Sequence, residues 1–386
     1  MSRTWICGAV RDVVLLGVGL ALAGCSMSRA PGPVTGGGAA AGPAPESSAS
    51  AVATPVYVLD PSFPQPSIPF NQVSWMRVDR KTGLVYLLQR SQPPVSLWTP
   101  AGELVGTWDT EVLGEPHSIS FEDLADGSRR VWITDMAPPR SAGVGFGHCL
   151  KVFDMDGGLL GTLGTCGPDS EGTGLDPVQF DQVTDVAFDD EGERWVTDGD
   201  VNGLNNRLLE IDPAGTVLRH WNAPGDQPGS GPGEFDLPHA VLLDPCQRKW
   251  VADARNHRIQ VFGAEGDFVG ELACFGELGV FGIALTDVHA SGEPAATLFA
   301  TASPTSGGGT GTVYLFEVTM DCSEPRAIGS CTPVTRWDIE LLQTGQTALL
   351  HAVTTEPDGS AIYISLLGGP LPPQKWVRVP VGASEE

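Results

Sequence analysis

Apolar and polar positions alternate in short runs along most of this chain, and turns rich in Gly, Asp and Asn close the runs. Period-two stretches of this kind predict half-buried β-strands rather than helices. Three segments share one plan: EPHSISFEDLADGSRRVWITDM (Glu115 to Met136), QVTDVAFDDEGERWVTDGD (Gln182 to Asp200) and LPHAVLLDPCQRKWVADAR (Leu237 to Arg255). Each reads as an alternating strand, an acidic or Gly turn, and a second strand carrying Trp, an apolar residue, Thr or Ala, and Asp. A loop and two more strands follow, as in NNRLLEIDPAGTVLRHW and NHRIQVFGAEGDFVGEL, joined by a Gly-containing hairpin turn.

Four short strands per unit of roughly forty to sixty residues is the arithmetic of a propeller blade. Unit starts fall near Trp75, His117, Thr184, His239, Phe281 and His351. The fold predicted is therefore all-β, a six-bladed β-propeller. Blade five is the faintest, with FGIALTDV, ATLFATA and GTVYLFEV but no Trp and Asp signature. The strand-like PVYVLD (Pro55 to Asp60) is positioned to complete the last blade and close the ring.

Composition supports this reading. The 386 residues include 49 Gly and 32 Pro but only 18% charged residues, a texture of turns and strands. A formal net charge of −25, spread along the chain, repels phosphate backbones and excludes nucleic acid as a natural partner.

The first residues, MSRTWICGAVRDVVLLGVGLALAGC, join two arginines to a short apolar run and then small residues, the pattern of a secretory signal. Their ending, Leu22-Ala23-Gly24-Cys25, resembles the bacterial lipobox, which implies cleavage before Cys25 and a lipid on its thiol. The expected organisation is a lipoprotein signal peptide over 1–24, a linker of small residues and Pro over 25–54, and the propeller over 55–382. Membrane attachment through Cys25 and a bacterial cell-envelope location follow, with Ser26 favouring the outer membrane or cell surface. Six further cysteines in an oxidising setting are paired by proximity as Cys149 with Cys166, Cys246 with Cys274, and Cys322 with Cys331.

The histidines bring chemistry. His117, His239 and His351 occupy one equivalent position, at the entry of the innermost strand of blades two, four and six. Inner strands line the channel, so alternate blades deliver three imidazoles to one axial point. That is a ligand set for a zinc-class ion with a fourth position open. Thr184, Ser74 and Phe281 take the matching place in the odd blades.

GEFDLP (Gly233 to Pro238) and the strand of NHRIQVF resemble the NHL repeat. With the phased histidines added, the segment from Val183 to Phe262 is similar to the peptidyl-α-hydroxyglycine α-amidating lyase family, and a fainter likeness runs from about Gln72 to Ser365. The resemblance implies a six-bladed propeller holding zinc on His117, His239 and His351. It also implies cleavage of a C-terminal α-hydroxyglycine to a peptide amide and glyoxylate, with Arg90 gripping the substrate carboxylate or tuning the base. Three positions depart from the family. Asp200 stands where a tyrosine is expected, and with a carboxyl pKa near ~4 it makes a weaker base. Ala254 replaces an arginine, leaving Arg255 one position along as candidate for that role, and Ala352 replaces the acid that supports a structural calcium. The expected ligand is a small anionic or peptidic substrate, taken by a monomer. The competing expectation is a non-catalytic NHL propeller at the cell surface that binds a protein or glycan.

Overall fold

The computed structural model describes residues 54–136, 148–167, 172–201, 203–289, 294–341 and 347–379. The chain divides between Ala51 and Val52, and every described residue belongs to the second unit. The proposed signal, Cys25 and all but the last residue of the linker lie outside the described residues, as do 380–382 at the far boundary.

Strand β1 (Val56–Leu59) precedes the first complete blade, which is β2 (Val73–Val78), β3 (Val85–Gln89), β4 (Val95–Trp98) and β5 (Leu104–Trp108). Blade two is β6 (Pro116–Asp123), β7 (Arg129–Asp135), β8 (Cys149–Phe153) and β9 (Leu159–Leu163). Blade three is β10 (Val183–Phe188), β11 (Arg194–Asp198), β12 (Arg207–Ile211) and β13 (Val217–Asn222). Blade four is β14 (Pro238–Leu243), β15 (Lys249–Asp253), β16 (Arg258–Phe262) and β17 (Phe268–Leu272). Blade five is β18 (Gly279–Leu285), β19 (Ala295–Ser303), β20 (Thr310–Thr319) and β21 (Thr335–Glu340). Blade six is β22 (Leu349–Thr355), β23 (Ala361–Leu367) and β24 (Gln374–Val379), with β1 added outside β24 as its fourth strand.

The unit is an all-β, six-bladed propeller. All six sheets are antiparallel, five of them meanders of consecutive strands, and each inner strand packs against the next, with β22 returning to β2. Closure by β1, the expected fourth strand of the last blade, pairs Val56 with Val379 and Leu59 with Trp376. The first and last segments thus share one sheet, which leaves blade six no missing edge.

The repeated Trp and Asp of the second strands have structural work. Trp132, Trp195 and Trp250 are buried, and their indole N–H groups donate to Glu122, Asp189 and Asp244 at 2.8, 2.9 and 2.9 Å. Asp135, Asp198 and Asp253 each accept backbone N–H groups from the loop leading into their own inner strand: Glu115, Asp181 and Asp236. The same carboxylates pair with Lys151, Arg207 and Arg258 on the third strands. Each aspartate therefore latches the entry loop of its blade to the sheet, and so fixes where the inner strand begins.

The disulfides correct two of the three proximity pairings. Cys149 bonds Cys166 as expected, but Cys246 bonds Cys322 and Cys274 bonds Cys331. Cys246 sits in the β14–β15 hairpin and Cys274 beyond the end of β17, at opposite ends of the same antiparallel sheet. A strand of this length spans about 15 Å, far more than a disulfide bridges. Cys322 and Cys331 both belong to the connection between β20 and β21, and both reach across to blade four. The two bonds tie neighbouring blades together rather than closing local loops.

Candidate metal centre

Every inner strand breaks register near its second or third residue. The shifts fall between Val73 and Trp75, Pro116 and Ile119, Val183 and Asp185, Pro238 and Ala240, Val280 and Gly282, and Leu350 and Ala352. A bulge re-aims a side chain that regular pleating would direct elsewhere. Here the same irregularity, repeated in six blades, presents Ser74, His117, Thr184, His239, Phe281 and His351 toward the axis.

The six positions are cross-linked in order. His117 Nδ1 lies 2.7 Å from the carbonyl oxygen of Thr184, His239 Nδ1 2.7 Å from that of Phe281, and His351 Nδ1 2.6 Å from that of Ser74. A carbonyl only accepts, so each Nδ1 carries the proton and donates it to the following blade. In return, Ser74 Oγ donates to Pro116 O at 2.9 Å and Thr184 Oγ1 to Pro238 O at 2.6 Å.

With Nδ1 protonated, the three Nε2 atoms are bare lone pairs. All three lie within 4.8 Å of one another, and His239 Nε2 is 3.1 Å from His351 Nε2. His117 Nε2 is buried with no hydrogen-bond partner among the described residues. Burial holds the pKa of all three rings below the ordinary value, and the charge of Arg90 lowers each further. Neighbouring imidazoles add to the depression at His117 and His351. Three neutral rings thus aim unshared electron pairs at one buried point, where no N–H or O–H donor meets them among the described residues. That arrangement is repulsive alone and fits a cation. The spacing suits nitrogen ligands held about 2.0–2.1 Å from a zinc-class ion, and carbonyl acceptors on the far nitrogens are the usual outer support of such ligands.

Trp75 forms the floor. Its ring centroid lies 5.6 Å from His117 and 5.9 Å from both His239 and His351. The residues following the other axial positions are Ser118, Asp185, Ala240, Gly282 and Ala352. Four of these five are small, which leaves room for one indole. At Gly282 a Cβ would come within 2.7 Å of the Ala352 backbone. Beneath the indole lies Arg77, its guanidinium carbon 5.9 Å from the ring centroid. Arg77 donates to Ile119 O and Ser120 Oγ, both at 3.0 Å, and pairs with Asp185 at 3.4 Å. At the position where the family carries the acid that supports calcium, Ala352 offers no side-chain oxygen. A cavity of about 740 Å³ opens at the opposite end of the channel, with Arg77, Leu242, Ile283 and Thr354 in its wall.

The upper mouth carries the remaining candidates. Asp200 follows Gly199, whose φ of +139° and close approach to Asn205 O leave no space for a Cβ. This turn directs Asp200 inward: Oδ1 accepts Val201 N–H at 2.7 Å, and Oδ2 lies 3.8 Å from His117 Nε2. Arg90 pairs through Nη1 with Glu115, and both are largely buried. Burial raises the pKa of Glu115, opposed by the charge of Arg90 and reinforced by that of Asp200. Arg255 is placed differently. Its recorded partner is Asp236, 3.6 Å away, and its side chain is 40% exposed. His257 is the left-handed residue just before β16. Glu115 and Trp75 are site residues that the phase of the histidines does not reveal. Both were visible beside it, Glu115 two residues ahead of His117 and Trp75 one residue after Ser74.

No family model matches the chain. NHL repeat-containing protein 3 of Mus musculus is 36% identical over 237 residues, covering 60% of this chain and 64% of that relative. The Homo sapiens protein of the same name is 37% identical over the same span and shares. Peptidylglycine alpha-amidating monooxygenase of Rattus norvegicus is 33% identical over 170 residues, 42% of this chain and 15% of that protein. The chain therefore spans less than two thirds of the length of these relatives. A streptogramin B lyase structure aligns over 84% of this chain and 98% of its own at 14% identity, with a TM-score of 0.49, too distant to assign anything here. The chain is a six-bladed propeller similar to NHL repeat-containing protein 3 over 60% of its length and to peptidylglycine alpha-amidating monooxygenase over 42%.

Proposed function

We propose that this propeller is a metal-dependent carbon–nitrogen lyase, a diverged relative of the peptidyl-α-hydroxyglycine α-amidating lyases. The observation that carries the reading is the convergence of three buried imidazoles on one axial point, each with Nδ1 already given to a backbone carbonyl, with His239 Nε2 against His351 Nε2 and His117 Nε2 without a partner among the described residues. When bound there, a zinc-class ion supplies Lewis acidity that steadies negative charge developing on a substrate oxygen.

The chain's own groups supply the rest. Asp200, its Oδ1 anchored by the backbone and Oδ2 facing His117, is placed to take the hydroxyl proton of an α-hydroxyglycyl hemiaminal. Loss of that proton forms the C=O bond as the C–N bond breaks, and the departing nitrogen collects a proton to leave as an amide. Arg90 orients the far end of the substrate. Trp75 packs as a floor beneath the three imidazoles.

The test is aldehyde release from α-hydroxyhippurate and from its amide by metal-loaded protein, with Asp200→Asn as the paired variant. Turnover of either substrate, lowered at least about a hundredfold in the variant, is the expected result. Full activity in Asp200→Asn would remove Asp200 from the chemistry. Metal retention without turnover would favour a second reading, a metal-braced propeller that displays its loops to a protein or glycan. Asp200 in place of the family's tyrosine is the observation on that side.

A further inference from the structure

The expected task of Arg90 is to hold a substrate carboxylate, yet the structure gives that guanidinium a carboxylate of its own. Glu115 ion-pairs with Nη1, and the two side chains are 15% and 21% exposed. The pairing is not a chance swing of a surface glutamate. The backbone N–H of Glu115 is fixed by Asp135 Oδ1 at 2.6 Å, and its carbonyl accepts Met136 N–H at 2.9 Å. Asp135 in turn is held by Lys151. Glu115 is therefore latched to blade two while Arg90, the residue after β3, comes from blade one. Asp200, whose Oδ2 lies 3.8 Å from Nε2 of the neighbouring His117, adds a second acid to the same mouth. Arg90 Nη1 makes the bond to Glu115, and Nε is buried with no hydrogen-bond partner among the described residues.

From this arrangement we infer that Glu115 is a specificity residue that turns the upper mouth against free carboxylates and toward a neutral carbonyl, such as a terminal amide or ester. An incoming carboxylate would have to displace Glu115 from Arg90 and then sit beside two acids in a poorly solvated space, where like charges repel strongly. A neutral carbonyl leaves the ion pair intact and displaces no charge from Arg90. The inference rests on the proposed function only in taking Arg90 to face the substrate. It narrows the substrate from a C-terminal α-hydroxyglycine to an α-hydroxy compound ending in a neutral group.

Glycolate and glycolamide make a matched pair of probes: each is an α-hydroxy carbonyl compound, and they differ in the charge of one end. Calorimetric titration of the metal-loaded protein is expected to show glycolamide binding at least as tightly as glycolate. In Glu115→Gln, affinity for glycolate should rise at least about tenfold while that for glycolamide changes less than about threefold. Adding Arg90→Gln should abolish the gain. Wild-type preference for glycolate with an unchanged ratio in Glu115→Gln would overturn the proposal, as would failure of both probes to bind. Glu115→Asp, which keeps the charge but shortens its reach, serves if the glutamine variant proves unstable, and should give an intermediate ratio. Because binding is read without turnover, a protein that shows the switch but no aldehyde release would refute the lyase and leave this inference standing.

Discussion

Even and odd blades present the same backbone to the axis and different chemistry. Blades two, four and six place His117, His239 and His351 at the bulge, while blades one, three and five place Ser74, Thr184 and Phe281 there. The odd members are not idle spacers. Their carbonyls receive the three Nδ1 protons, and the hydroxyls of Ser74 and Thr184 bind the residue just before His117 and His239. The odd blades therefore set the tautomer and the aim of the even ones. A sixfold scaffold yields a threefold site because neighbours alternate between ligand and support.

This division of labour predicts unequal consequences of mutation. The largest belongs to a ligand: His351→Ala should reduce bound transition metal from about one ion per chain to a trace. The loss should exceed the 10- to 100-fold weakening that removal of outer support typically brings. Elemental analysis of purified wild type and variant checks it. Equal metal content in both would show that the three lone pairs do not form a site.

The alternation itself was legible in the sequence because side-chain identity at repeated positions survives without coordinates. What phase cannot carry is which residues face each other across blades. Cys246 and Cys274 look like neighbours along the chain, yet antiparallel order sends them to opposite ends of one sheet, and their partners lie in blade five. Arg255 looked like a substitute for a lost arginine, yet one residue of displacement on the loop after β15 turns it to Asp236. Glu115 and Trp75 stood in view, but their importance depends on Arg90 and on the small residues of four other blades, which only the closed ring brings together.

A support residue should behave differently from a ligand. Thr184→Val keeps the shape and the main-chain carbonyl that receives His117, but removes the hydroxyl that donates to Pro238 O. The expected effect is a loss of stability of about 1–3 kcal/mol from an unsatisfied buried carbonyl, with metal still bound. Urea unfolding together with metal analysis separates the two quantities. Complete metal loss in this variant would place Thr184 among the ligands and end the distinction between odd and even blades.

The smallest expected effect concerns a feature that ignores the alternation. Asp198 in blade three and Asp253 in blade four latch their entry loops alike, and burial, opposed by Arg207 and Arg258, raises both carboxyls from 3.8 to about 6. A carboxyl whose folded pKa exceeds its unfolded one binds more protons in the folded chain between those values. Its contribution to stability is therefore greatest below about pH 4, falls as pH rises through about 6, and is level above that. The difference between wild type and Asp253→Asn, followed by urea midpoint from pH 4 to 7, should shift against the wild type by on the order of 1 kcal/mol across this window. An Asp198→Asn series should trace the same curve. If only one of the two does, the latches also differ between odd and even blades, and the alternation reaches beyond the axial ring into the body of each sheet.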